Sequence, residues 1–378
     1  MTQKGVWGLQ GVRDEYLAGN WEYTATDPYS LFAWGDGGNG QLGHNDLTNY
    51  SSPKQIPGTE WSGEIKEQPL TIKTDGTMWV WGFGGYGSLG LNDTVNRSSP
   101  TQVPGNQWDR VAKHGSRRVS AVFKTDGTLW MWGDNDEGHL GINDRIRRSS
   151  PVQLPGTWNH ISSGESFTYG TTTSGELYFW GRALEGSSGQ NAPSVSRSSP
   201  TQIPGNQWNK VFCGTGSYSG YFTKTDGSLW AVGVNDYGHL GQNDRANRSS
   251  PIQIPGTQWD TVYAGTQGTV ATKTDGTLWV WGTASAGNLG QNDTVPRSSP
   301  TQVPGSQWAL GFNRMARPFY STIALKTDGT MWAWGQNGDA QHASNDRVPR
   351  SSPTQVPGTQ WTRVANVGQS AFVATKNN

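Results

Sequence analysis

The chain is poor in cysteine, in net charge and in long apolar runs. A single cysteine, Cys213, in 378 residues excludes an internal disulfide framework and any cysteine-rich zinc site, and such a residue is expected to be a small buried hydrophobe. Lys and Arg number 29 and Asp and Glu 29, so no global field attracts nucleic acid or an anionic membrane, and a partner must be recognised by local surface chemistry. The N-terminal stretch MTQKGVWGLQGVRDEY has no apolar run long enough for a secretory signal, and nothing later is apolar enough to span a bilayer. The expectation is a soluble product folded in the cytoplasm, without membrane insertion, wherever it finally resides. His44, His114, His139, His160, His239 and His342 lie at scattered positions without metal-ligand spacing. The oxygen-rich DNDEG at 134–138 looks like part of a calcium loop but lacks the remaining ligands, and its sister VNDYG marks it as a turn variant. No phosphate-cradling glycine loop leads from a strand into a helix, and no Ser or Cys nucleophile motif is present. A non-enzyme without cofactor or metal is expected.

What is abundant points elsewhere. The chain holds 52 Gly, 20 Pro and 20 Trp, with only 32% in the hydrophobic class, so large aromatic side chains must do much of the core filling. Gly and Pro punctuate too often for long helices, while Val, Thr, Trp and Tyr between them suit short strands. The fold class is all-β.

One unit repeats seven times with a period of about fifty residues, the range of propellers and solenoids. Trp34, Trp81, Trp132, Trp180, Val232, Trp281 and Trp334 are each followed by Gly. Ser-Ser-Pro keeps step from Pro53 to Pro353, Pro-Gly follows it, and a Trp follows that, from Trp61 to Trp361. Within a unit, SPTQVP is a strand opened by Pro100, WDRVAKHG a second, and SAVFK and TLWMWG a third and fourth joined by Asp126-Gly127. An Asp-Gly loop is a hairpin signal in which both turn positions want positive φ. It recurs at Asp75, Asp226, Asp275 and Asp328, and Ser174-Gly175 departs from it. The apolar run Leu129, Trp130, Met131 and Trp132 reads as a strand covered on both faces.

Four short antiparallel strands in each of seven units are buried without long free edges in a β-propeller, whose blades pack face to face around an axis. The chain stops at SAFVATKNN, where a unit still needs a final strand, and begins its first unit with the orphan YSLFAWG. Residues 361–376 and 29–35 are therefore expected to share one blade and close the ring. Residues 1–28 form an arm that belongs to no blade, and residues 29–378 the propeller.

DGTLWMWGDNDEGHLGINDRIRRSSPVQLPG resembles the repeat of the regulator of chromosome condensation (RCC1) family, and the seven copies cover about residues 29–376. The resemblance implies a seven-bladed propeller with a shared closing blade. It is not specific for function: members of the family include a nucleotide exchange factor for a small GTPase that binds nucleosomes, bacterial β-lactamase inhibitors, parts of ubiquitin ligases, and many unassigned bacterial and phage proteins. The short, uniform, Asn-Asp-rich units here are more similar to the bacterial and phage kind.

The phrase NDTVNRSSPTQVPGNQW at 92–108 pairs Asp93 with Arg97, and the same pairing recurs at Asp144 and Arg148, Asp244 and Arg248, Asp293 and Arg297, and Asp346 and Arg350. Asp46 faces Tyr50 instead, and Ala192 stands in for the Asp ahead of Arg197. Equivalent ligand pockets are one reading. The other, favoured because a fold's own repeat usually serves the fold, is that Asx turns and Ser hydroxyls satisfy loop backbone while the Arg latches onto a neighbouring loop or blade.

Function is then sought where the symmetry breaks. The arm carries Trp7, Tyr16, Trp21 and Tyr23, which suit either packing on the propeller or docking into a partner. The sixth inter-strand loop, ALGFNRMARPFYSTIALK, carries Phe312, Arg314, Met315, Arg317, Phe319 and Tyr320: exposed, a contact patch of hot-spot composition; folded inward, a plug. A weaker basic group comprises Arg110, Lys113, His114, Arg117, Arg118, Arg145, Arg147 and Arg148, where interspersed acids favour a solvated face over a nucleic-acid site. The stretch RALEGSSGQNAPSVS lacks the usual loop. These features suggest a structural, protein-binding propeller on a phage particle: a capsid decoration or a tail or fibre protein at the virion surface, held by its arm to a capsid or tail protein. Alternatives are a bacterial cytoplasmic module that inhibits or scaffolds an enzyme, a propeller that binds a host-surface glycan or receptor, and a GTPase exchange factor.

Overall fold

The computed structural model describes residues 30–376 apart from 59–60, 62–68, 115–117, 165, 192–194, 214–217, 266, 312–313, 317–319, 340, 345 and 367–370. Seven sheets, antiparallel but for one short added strand, follow one another as blades. We number them from one to six by their leading tryptophans, Trp61, Trp108, Trp158, Trp208, Trp259 and Trp308, and call the sheet that joins the two ends of the chain the closing blade. Its strand order is Tyr50–Gln55, Ser30–Gly35, Ala371–Lys376, Trp361–Asn366, with Trp34 opposite Phe372. The ring therefore closes by pairing of the two ends, as the sequence predicts.

Blade four shows the build. Trp208–Cys213 lies innermost, followed outward by Ser219–Lys224, Leu229–Gly233 and the edge strand Arg248–Ile254. Leading strands of successive blades meet near the axis, where the Cys213 N–H donates to Ser162 Oγ at 2.9 Å and the Val211 N–H to His160 Nδ1 at 3.3 Å. Cys213 itself is buried, as expected of it.

Two expectations are corrected. The Pro-bearing strand Arg97–Val103 does not open the blade of Trp108; it pairs with the preceding Met78–Gly82 and forms that sheet's outer edge. Val80 pairs with Thr101 and Gly82 with Arg97, so Pro100 sits in a bulge on an edge, where a missing N–H costs no ladder bond. The Asp-Gly hairpins are also not of the expected type. Only the glycine has positive φ, 77° at Gly76, because the Asp carboxylate turns back to accept the Thr77 N–H at 2.9 Å and holds its own residue at negative φ.

The core is a ring of indoles between blades. Trp34, Trp81, Trp132, Trp180, Trp281 and Trp334 are fully buried. Each donates its Nε1–H to a main-chain carbonyl of the preceding blade's long loop: Trp81 to Gln41, Trp132 to Ser88, Trp180 to His139 and Trp334 to Asn288, at 2.9–3.1 Å. The loop crosses so close to the ring that a Cβ on Gly90, at φ 71°, would lie 2.8 Å from Trp132 Nε1; the Leu-Gly of the repeat follows from this. At the one ring position held by Val232, the orphaned Ser187 carbonyl is met by Tyr169 Oη. The strand Leu129–Gly133 is not wholly covered as expected: Trp130, near its end, is partly exposed.

Candidate interaction surfaces

Because strands alternate in direction, each blade sends its turns to opposite ends of the propeller. One end carries the Asp-Gly hairpins and the Pro-Gly turns. The other carries the turns out of the leading strands, near the axis, and the long Asn-Asp loops, around the rim.

The rim loops serve the fold. In the rim loops of the closing blade and of blades one, two, four and five, the Asn before Asp is in the left-handed region, with φ 63° at Asn92, and its N–H crosses to the next blade: Asn92 donates to the Ser149 carbonyl at 2.7 Å, Asn143 to Ser198 and Asn243 to Ser298 at 2.8 Å. The Arg does not make this crossing, contrary to expectation. It folds back on its own loop, Arg97 reaching Asp93 at 2.6 Å and Arg350 reaching Asp346 at 2.7 Å. The distance of four residues is short enough for an intraloop pair, whereas the Asn main chain already lies against the neighbour. The Arg350 guanidinium holds the Asp346 carboxyl well below the usual carboxylate range; for Asp93 the Val95 N–H is the larger cause. Tyr50 replaces the Arg by donating its hydroxyl to Asp46 at 2.8 Å.

The sixth loop turns Met315 and Ala316 inward, while Leu310 stays exposed. Met315 is buried and Met315–Ala316 pairs with Ser321–Leu325, so Met315 is core and not part of an exposed patch. Trp308 pairs with Lys326 and Met315 with Ala324, whereas Trp208 pairs with Lys224 and Val211 with Phe222. The extra residues therefore bulge from the innermost strand. The Gly311 N–H donates to Asp260 Oδ2 in blade five at 2.9 Å, and Arg314 donates to the Thr362 carbonyl in the closing blade. The bulge ties three blades together at the axis. Asp260 also holds Lys210 of blade four at 2.8 Å. Tyr320 accepts the Gln336 N–H through its carbonyl. Phe312, Arg317 and Phe319 lie outside the described residues.

The basic group is split, and part of it is paired with acids. Arg147 chelates Asp136 and lies 3.6 Å from Asp134, which Arg118 also approaches at 4.0 Å. Arg118 and Arg147 stack on Tyr86 at 4.9 and 4.7 Å. Arg110 instead covers Phe123 at 4.0 Å, while Arg145 is exposed. Lys113 belongs to the short strand Lys113–His114, parallel to the leading strand of blade three. The arm residues Trp7, Tyr16, Trp21 and Tyr23, together with Arg117, lie outside the described residues.

At the hairpin end the sequence reading overlooked a repeated constellation. In blade two Trp108 and Trp130 meet edge to face at 6.4 Å, and Lys124 places its ammonium 4.9 and 4.7 Å from the two rings. Trp130 donates to Thr128 Oγ1, which donates to Asp126. Lys73, Lys224, Lys273 and Lys326 repeat the arrangement at 4.6–5.1 Å. The signal was Lys-Thr-Asp-Gly with a Trp four residues after the Asp. Blade three alone among these six lacks it, with Thr172, Ser174, Glu176 and Tyr178 in the corresponding places.

His139 and His239, described above as scattered, occupy equivalent loop positions and both are buried. Burial lowers His139 to about 4, which keeps its ring neutral, and this suits the indole acceptor role of its carbonyl.

Residues 30–375 match the family model of the RCC1-like domain. The chain belongs to that family. It is 30% identical to the protein RCC2 homolog of Danio rerio over 128 residues, 33% of this chain and 26% of that one. It is 24% identical to the E3 ubiquitin-protein ligase HERC2 of Homo sapiens over 276 residues, 70% of this chain and 6% of that one. Matches thus span about a quarter or less of these relatives. Among solved structures, yeast RCC1 (Prp20) in its complex with Kap60 superposes with TM-score 0.80 at 17% identity, covering 94% of this chain and 91% of that one. Human WBSCR16 gives 0.77 at 20%, covering 92% and 100%. These likenesses establish the RCC1 propeller fold, a frame suited to protein interaction.

Proposed function

We propose that this RCC1-like propeller is a non-enzymatic platform that binds a protein partner at the end where the leading strands turn. The observation that carries the reading is the difference between the ends: outside blade three the hairpins and rim loops follow one repeated pattern, whereas 62–68, 112–118, 163–166, 214–218 and 309–320 differ in length and composition. A fold's own needs account for the repeats, and variation at one end is left for recognition. The finer reading we favour is a particle component, a phage capsid decoration or tail protein whose arm anchors it; the aromatic residues of 1–28 and the neutral body support it. A regulator of a small GTPase is supported by the likeness to RCC2 homologs, and by a solved neighbour from Saccharomyces cerevisiae described with its binding to Gsp1p and histones.

One experiment separates them. The full chain and a version beginning at Tyr29 are used to retain partners from source lysate, with mass spectrometry of what is held. Capsid or tail proteins retained by the full chain alone support the anchored particle component. A GTPase retained by both, with faster nucleotide release on adding the propeller, replaces that reading with the regulator.

A further inference from the structure

We propose that the hairpin end of blade three is a receptor for a lysine side chain of a partner protein. This goes beyond the reading above, since it concerns the opposite end of the propeller. In blades one, two, four, five and six, the right angle between two aromatic rings is filled by the blade's own lysine, and an Asp two residues after it balances the charge. Blade three keeps the rings: Trp158 and Tyr178 stand 5.6 Å apart at 82°. It also keeps a carboxylate, since Glu176 takes over from the missing Asp and lies with Oε2 3.5 Å from Tyr178 Oη and 3.2 Å from Thr172 Oγ1. What it lacks is the cation. The register that pairs Trp108 with Lys124 pairs Trp158 with Thr172, and among the described residues no Lys or Arg stands over either ring.

A second feature opens the same corner. The turn before Trp158 is Pro-Gly-Thr, one residue shorter than the Pro-Gly-Asn-Gln before Trp108. In blades two, four, five and six the extra Gln lies against the neighbouring hairpin glycine, as Gln107 does beside Gly76, and the Trp108 N–H closes onto the Gly76 carbonyl at 3.2 Å. Beside Gly127, which faces blade three, a Cβ would meet nothing within 4 Å. Two perpendicular aromatic faces, one carboxylate, an absent ammonium and an uncovered edge define a place whose shape and charge the sister blades show to be that of a lysine head.

The test uses the full chain with 15N-labelled indoles and follows the Trp158 Nε–H resonance, identified by its loss in Trp158→Phe. The probes are the peptide acetyl-Gly-Lys-Gly-amide, the same peptide with an Nε-acetylated lysine, and tetramethylammonium. The lysyl peptide is expected to move the Trp158 resonance saturably, and the acetylated peptide to leave it in place. Thr172→Lys, which restores the sister pattern and so keeps the fold, should weaken the effect at least tenfold. Glu176→Gln should weaken it about fivefold, an amount in keeping with one ion pair at a half-buried carboxylate. No shift with the lysyl peptide, or an undiminished shift in Thr172→Lys with the other indoles unmoved, would overturn the proposal. A response to tetramethylammonium alone would overturn it as well, because the occupant would then be a small quaternary amine.

Discussion

Trp130 and Trp132 stand two residues apart on one strand and do different work. Both indoles donate a hydrogen bond at 2.9 Å, but Trp130 donates to a hydroxyl of its own hairpin and Trp132 to a carbonyl of the preceding blade. Trp132 is fully buried, and Trp130 is partly open to solvent. Alternation along a strand would place both on one face. What separates them is distance from the hairpin: the inner member meets a loop arriving from the preceding blade, whereas the outer member meets Trp108, Thr128 and Lys124 of its own blade. Blade-to-blade cohesion is thus carried by one Trp of each pair, and removing it should cost far more than removing the other.

Trp132→Ala is the largest expected effect. Loss of a fully buried indole and its bond to Ser88 should destabilise the propeller by about 3–5 kcal/mol, read as a lower urea midpoint; the adjoining blades should lose hydrogen-exchange protection first. A cost below about 1 kcal/mol would show that the interblade indole is dispensable. The same inner layer predicts acid sensitivity. Burial lowers His139 and His342 to about 4, so the unfolded chain binds more protons between that value and about 6.5. Their stabilisation is present in full above pH 6.5 and falls as pH drops towards 4, by about 1.4 kcal/mol per unit for each group. His139→Gln, isosteric enough for the pocket, should flatten the urea midpoint against pH between 6.5 and 4.5.

Val232 sharpens the comparison, because there the inner Trp is missing. Tyr169 supplies the bond to Ser187 in its stead, and Tyr169→Phe should leave a buried carbonyl unpaired at a cost of about 1–3 kcal/mol. In blade four the matching Tyr221 and Trp281 both reach the His239 carbonyl, at 2.6 Å each. Tyr221→Phe should therefore cost less than Tyr169→Phe. Equal losses in thermal-unfolding measurements would sink the idea that the tyrosine compensates for Val232.

Much of this was legible in the sequence, for reasons particular residues make plain. Six phased Trp-Gly pairs and the Val232-Gly233 that keeps step with them gave away the blade count, and the unmatched strands at Ser30–Gly35 and Ala371–Lys376 announced the closure. The misreadings share a cause: a period says what recurs, not which neighbour a recurring group meets. Arg97 and Asn92 recur equally well, yet only the Asn main chain crosses to the next blade. Met315 reads as an exposed anchor until the register places it opposite Ala324, in the position Val211 holds opposite Phe222. The blade-three corner escaped because Thr172 is unremarkable alone and acquires meaning only against Lys124, its counterpart one blade earlier.

The smallest expected effect lies in the rim loops. Arg97 and Asp93 are a partly exposed pair, so Arg97→Ala should cost no more than about 1 kcal/mol, less at high salt. The Asn92 main chain makes the crossing to Ser149, and its left-handed conformation is one that Asn tolerates better than most residues. Asn92→Val should therefore exceed Arg97→Ala in cost, although it removes no charge, because a β-branched side chain resists that conformation and would pull the loop off the neighbouring blade. Parallel urea titrations of the two variants decide the order, and the reverse order would return the latch to the arginine.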